Sequence, residues 1–94
     1  MSKIRKSARG KSCQVRLSVC RNRKETVILA HRNGYGIAGK NPDYQGAYCC
    51  FECHEAIDGR MRTKYTQLEL YAAFCDGVFR TQEILKEEGL IEVK

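Results

Sequence analysis

The sequence has no tryptophan, a single proline and only two histidines among its 94 residues. Proline and glycine together are too few for a collagen-like or low-complexity chain. No apolar run approaches the eighteen or so residues of a membrane-spanning helix, so no membrane partner is expected. The opening Met1-Ser2-Lys3-Ile4-Arg5-Lys6 has no apolar stretch behind it, which reads as a chain that is not secreted. There is no Asp or Glu before Glu25 and no aromatic residue before Tyr35. A segment without aromatics has nothing on which to stack bases.

The missing acids leave a charge imbalance. Residues 1–24 hold nine basic side chains, whereas residues 25–94 hold eight basic against eleven acidic ones, so the net charge of +6 comes from the N-terminal quarter. Such a cluster is the footprint of phosphate-backbone contact, with Arg5, Lys6, Arg9 and Lys11 as candidates and DNA as the expected partner. The plain alternative is a solvated arm that keeps the protein soluble.

The chain is one domain at most, near the lower size limit for an unaided hydrophobic core. Residues 1–12 read as a basic arm with a short helix around Lys3–Arg9, and residues 13–94 as the folded body. Gln14–Val19 alternates polar and apolar residues, as a half-buried strand does. Thr26–His31 reads as a second strand and Tyr44–Cys50 as a short extended segment, with a glycine-punctuated loop over 33–43 between them. Helices are expected over Glu52–Met61 and Thr66–Glu88. The second carries an apolar stripe of Leu68, Tyr71, Ala72, Cys75, Val78, Phe79 and Leu85, broken at Gly77 or stopped at Gly89. Leu90–Val93 forms an apolar tail that packs back on the body.

Six cysteines are available to reinforce a thin core. Cys50-Phe51-Glu52-Cys53 is a C-x2-C knuckle, and Cys13 and Cys20 form a wider pair some thirty residues earlier. Two such pairs close one tetrahedral zinc centre with four sulfur ligands. A disulfide framework is the competing reading, and a non-secreted chain disfavours it. Cys49 and Cys75 read as buried core residues.

His54 and Asp58 stand four apart in the expected helix and so share a face. An imidazole and a carboxylate there suit a divalent cation such as Mg²⁺, Mn²⁺, Ni²⁺ or Zn²⁺, or else a hydrogen bond on the helix surface. His31 ends a strand where a loop begins, a usual place for a catalytic side chain and equally for a half-buried structural one.

Taken in order, a cysteine pair, a strand ending in histidine, a loop, then C-x2-C-H with a carboxylate four residues on resembles the HNH nucleases. Ala8-Arg9-Gly10-Lys11-Ser12-Cys13-Gln14-Val15-Arg16, Leu29-Ala30-His31-Arg32, Pro42-Asp43 and Cys50 to Asp58 are similar to the YbcO family of prophage nucleases, a likeness running from about Ile4 to Leu90. The resemblance implies an α+β fold: a small zinc-stabilised ββα-metal (HNH-like) domain with a long C-terminal helix. It implies a metal-dependent endonuclease acting on DNA in the cytoplasm of a bacterial host. By the same resemblance His31 is the general base, His54 and Asp58 hold a catalytic Mg²⁺, Mn²⁺ or Ni²⁺, and Asp43 or Asn41 orients the base. Arg32 or Arg60 clamps the phosphate. HNH strands carry a metal-binding residue just before the base, and here that position is Ala30. Either His31 is itself a ligand, or the ion has one fewer protein ligand.

Two further readings compete. One is a non-catalytic zinc-knuckle module that binds nucleic acid through residues 1–24. The other is a partner-binding protein that dimerises through the long helix, whose outer face, with Gln67, Glu69, Asp76, Arg80, Glu83 and Glu87, reads as ordinarily solvated.

Overall fold

A computed structural model describes residues 3–31 and 43–92. Helix α1 (Lys3–Ser7) leads into an irregular segment that carries Cys13 and Cys20. Strand β1 (Ile28–Ala30) pairs antiparallel with β2 (Ala47–Cys49), with Leu29 opposite Tyr48 and Ala30 opposite Ala47. A single turn of 3-10 helix over Asp43–Gln45 precedes β2. Helices α2 (Phe51–Ile57) and α3 (Gln67–Glu87) complete a small α+β domain with a two-stranded sheet and a long C-terminal helix.

α3 is well delimited by its own sequence. Thr66 and Glu69 form a reciprocal capping box: the Thr66 hydroxyl accepts from the Glu69 amide at 3.1 Å, and the Glu69 carboxylate accepts from the Thr66 amide at 2.7 Å. At the other end Gly89 takes φ +73°, which lets the Leu90 amide reach the Leu85 carbonyl and the Gly89 amide reach that of Lys86. This pair of bonds satisfies carbonyls the helix would otherwise orphan. Leu90 and Ile91 then pack against the core.

The core lies where α3 crosses β2. Tyr48, Cys49, Ala47 and Leu85 are fully buried, and the Tyr48 amide donates to the Thr81 hydroxyl at 2.9 Å. The N-terminal segment joins this body: Ala8 is buried, Ile4 packs on the core, and the Ser7 and Tyr48 hydroxyls share a hydrogen bond.

Three sequence expectations need correction. Gln14–Val19 is not a strand. Arg16 takes a left-handed φ of 58°, so the segment turns instead of extending, although Val15 and Leu17 are still buried. Its one ladder-like bond runs from the Gln14 amide to the Tyr48 carbonyl. α2 is shorter than expected, because its chain turns at Gly59 with φ +79°. α3 is not broken at Gly77 but stops at Gly89, the other end expected for it, and residue 77 lies in close packing that leaves no room for a side chain. A Cβ at Gly77 would sit 2.9 Å from Val15 Cγ2.

The third correction concerns which face of α3 is inside. The buried residues are Leu70, Phe74, Gly77, Thr81 and Leu85. Of the stripe expected to be core, Leu68 is 75% exposed and Phe79 64%; Tyr71 and Ala72 are exposed and Cys75 is only half-buried. The helix is apolar on two faces, and the core took the one that includes a glycine and a threonine.

Candidate functional site

The four cysteines of the two sequence pairs converge. Cys13 and Cys20 come from the irregular segment, Cys50 caps the N-terminus of α2, and Cys53 lies in its first turn. The Sγ atoms of all four lie within 4.8 Å of one another. Backbone geometry upstream explains how: the left-handed Arg16 bends the chain, and Asn22, also left-handed, accepts the Cys13 amide on its side chain at 2.7 Å. All six cysteines are free thiols.

The cluster fits a metal ion. A tetrahedral zinc with Zn–S bonds of about 2.3 Å sets sulfur–sulfur edges of about 3.8 Å. Cys20 Sγ and Cys50 Sγ lie 3.7 Å apart. The electrostatics agree. Cys49 and Cys53 hydrogen-bond to the Cys13 sulfur and push its thiol far below the ordinary range, while the same bonds push Cys49 and Cys53 up. Burial pushes Cys20 up to about 11. Thiols this close share protons, and a cation that gathers them as thiolates displaces those protons. Cys49 is buried as expected, yet its sulfur touches this set, which sequence spacing did not reveal.

A salt bridge braces the knuckle. Arg23 donates to Glu52 Oε2, and this partner holds the Glu52 carboxyl below its usual range. Glu52 Oε1 is buried and without a hydrogen-bond partner among the described residues.

His31 follows β1 directly. Its Nε2 lies 2.8 Å from Asp43 Oδ1, and the side chain is 11% exposed. With Nε2–H donating to the carboxylate, Nδ1 carries the imidazole lone pair. Arg5 Nε also donates to Asp43 Oδ1, at 3.2 Å. One carboxylate thus joins the basic segment to the histidine. Arg32 and Asn41 lie outside the described residues.

A second imidazole–carboxylate pair sits on α2 and its C-cap. His54 Nε2 and Asp58 Oδ2 are 3.2 Å apart. This is the distance of a hydrogen-bonded pair across one helical turn. Arg60 donates to this same Asp58 oxygen at 2.9 Å and to Glu55 at 2.8 Å. Its guanidinium is held by protein carboxylates. Among the described residues the four cysteines are the one group of three or more metal-ligating side chains drawn together so closely. His31 with Asp43 and His54 with Asp58 form two pairs, and His31, His54 and Asp58 are not drawn into one such group.

The basic side chains differ in their engagement. Arg5 is tied to Asp43, and Lys11 pairs with Glu88 at 2.8 Å. Lys6 and Arg9 are exposed and make no ion pair among the described residues. Among the described residues no helix is long and apolar enough to cross a membrane.

Comparison with known proteins gives the same answer at three levels. Residues 2–90 match the family described as "Putative nuclease YbcO". The chain is 41% identical over 98 residues to the "Putative nuclease YbcO" of Escherichia coli (strain K12), covering 98% of this chain and 99% of that one. The protein of the same name from Enterobacteria phage 82 matches equally well, at 41% identity with the same coverage. A solved structure described as "Structure of a putative bacteriophage protein from Escherichia coli str. K-12 substr. MG1655" superposes with a TM-score of 0.77. It is 38% identical and covers 93% of this chain and all of that one. By sequence along nearly its whole length, this chain belongs to the YbcO family, whose members carry the name of nucleases.

Proposed function

We propose that the protein is an HNH-type endonuclease that hydrolyses DNA phosphodiester bonds with a divalent cation, and that the four-cysteine cluster holds a structural zinc. One observation carries the reading: a histidine at the end of the first strand has its Nε2 on a carboxylate, with arginine on that same carboxylate. The strand–strand–helix order of β1, β2 and α2 and the family's name support it.

In this reading His31 is the general base. Asp43 fixes the imidazole and its tautomer, so that Nδ1 takes a proton from the water that attacks phosphorus. Arg5 shares Asp43 Oδ1 with His31 and is released to a phosphate neighbouring the scissile one. His54 and Asp58 would hold the divalent cation, and Arg60, which bonds Asp58, would then be available to the substrate phosphate. The ion, when bound, supplies positive charge against the phosphorane and the departing 3′ oxygen. The two protein ligands would suit a magnesium-like ion, which needs few of them. Lys6, Arg9 and Lys11 hold the backbone of the bound strand, as does Arg32.

Plasmid nicking by purified protein, with and without Mg²⁺, Mn²⁺ or Ni²⁺, tests this. Cleavage should require the cation and should fall by at least about a hundredfold in His31→Ala, with DNA affinity unchanged. A second reading, a zinc-knuckle module that binds nucleic acid without cutting it, is favoured by the separation of the two histidine–carboxylate pairs and by Arg60 on Asp58. Absence of cation-dependent cleavage in the wild type as in His31→Ala, with DNA binding retained in both, would establish that reading in place of the first.

A further inference from the structure

A cleft of about 600 Å³ opens between the N-terminal segment and β1, away from the sulfur cluster. Among the described residues its lining has two chemistries: Arg5, Lys6 and Arg9 on one side, Val27, Ile28 and Leu29 on the other. Among the described residues the sheet has two strands, and β1 has no strand on its second edge. Ile28 is 48% exposed in spite of its size. Nothing described so far uses this apolar wall, and a row of phosphate contacts does not need it.

The two walls together define a ligand. Lys6 and Arg9 make no ion pair among the described residues, so their charge calls for an anion. The aliphatic wall calls for an apolar or flat body attached to that anion. The volume lies within the range of pockets that enclose a small ligand. Position narrows the choice. Arg5 both lines the cleft and bonds Asp43, which bonds His31, so two side chains, Arg5 and Asp43, link the cleft to the proposed base.

We infer that the cleft is a subsite for a single unstacked nucleotide of a nucleic-acid strand, adjacent to the bond that is cut. Lys6 and Arg9 hold its phosphate and the base lies against Ile28 and Val27. The inference rests on the nuclease reading for the identity of the strand, and it adds a substrate class. In an intact duplex the bases are stacked and paired, and only phosphates meet the cationic wall. A base reaches the apolar wall only when it is single-stranded, bulged, or at a gap or end. The lack of aromatics before Tyr35 does not prevent this, since an aliphatic surface removes a base from water without stacking it.

The test is fluorescence anisotropy at fixed salt with a 12-nucleotide single strand, the same sequence as a blunt duplex, and a duplex with one bulged 2-aminopurine. Single-stranded and bulged DNA should bind about tenfold more tightly than the duplex, and bound 2-aminopurine should change its emission. Ile28→Asp should remove that preference by weakening single-strand binding about tenfold, with duplex binding held within about threefold. Ile28→Gln provides a milder version, and thermal melting shows that both variants are folded. The double variant Lys6→Gln/Arg9→Gln should weaken binding of both DNAs and flatten the salt dependence. Equal affinity of the wild type for single strand and duplex overturns the inference, as does an equal loss on both DNAs in Ile28→Asp. Ile28-dependent binding to phosphatidylglycerol vesicles without preference for single strands also overturns it, by assigning the cleft to a lipid. Cation-dependent cleavage with no such preference would leave the nuclease reading standing and this inference refuted. A preference for single strands without cleavage would do the reverse.

Discussion

Replacing Gly77 with alanine sets two known effects against each other. In the interior of an exposed helix the change stabilises by about 1 kcal/mol, because alanine is the better helix former. Here the new Cβ would lie 2.9 Å from Val15 Cγ2 and 3.3 Å from both Ala47 Cβ and the Gln14 carbonyl oxygen. Carbon atoms prefer about 3.5–4.0 Å, so α3 has to retreat by roughly half an ångström or Val15 has to turn. Ala47 and the Gln14 carbonyl are backbone or nearly so and cannot turn aside. Overpacking of this kind costs about 1–3 kcal/mol. The net expectation is a loss of about 1 kcal/mol, and a melting temperature lower by roughly 4–8 °C for a domain of this size. Urea denaturation measures it, with Val15→Ala completing a double-mutant cycle. Val15→Ala alone should cost about 2 kcal/mol from its cavity, and the double variant should be about 1 kcal/mol more stable than the sum of the two losses. A rise in the Gly77→Ala midpoint, or strict additivity in the cycle, would show that α3 does not press on this segment.

Three other outcomes follow from the packing and the charges. Cys50→Ser should abolish stoichiometric zinc binding and leave the chain largely unfolded by circular dichroism, whereas Cys75→Ser should retain both metal and fold; metal content by colorimetric assay separates them. Thr81→Val keeps the buried shape but strips the Tyr48 amide of its partner, and should cost about 1–3 kcal/mol in chemical denaturation. A neutral result would mean that this amide finds another acceptor. Replacing Arg5, Lys6, Arg9 and Lys11 together by glutamine should reduce the slope of log affinity against log salt by about 3 to 4 for duplex DNA, with Lys6 and Arg9 alone giving about 2. The split is uneven in its origin, since Arg5 and Lys11 begin with carboxylate partners they must release.

Much of this architecture is legible in the chain because it is written in local chemistry. Thr66 with Glu69 and Gly89 after the last turn mark the ends of α3 to within a residue. β1 lies inside the β-branched stretch Thr26–His31, and the two cysteine pairs meet although one has an unusual spacing. The face of α3 is a different problem. Leu68, Leu70, Tyr71, Ala72, Ala73, Phe74 and Cys75 put apolar groups nearly all round the helix. The inner face is then chosen by Gly77 and Thr81, which a count of apolar residues misses, through a close approach in one case and a hydrogen bond in the other. Gln14–Val19 misled for a related reason. Alternation records which side chains are buried, but not that a left-handed Arg16 turns the chain between them. In the candidate site, the roles of Asn41 and Asp43 were indistinguishable by type and spacing. The contact of Asp43 with His31 joins residues twelve apart, and residue spacing alone does not encode it.

The outward face of α3 bears on how the protein must be handled. Leu68 and Phe79 present bare hydrocarbon to water, and the surplus of positive charge is what holds copies apart in dilute buffer. At an ionic strength of 1 M that repulsion fades beyond about 3 Å, while salting-out strengthens the attraction between oily faces. The concentrated salt washes commonly used to strip nucleic acid from basic proteins therefore push this one toward self-association.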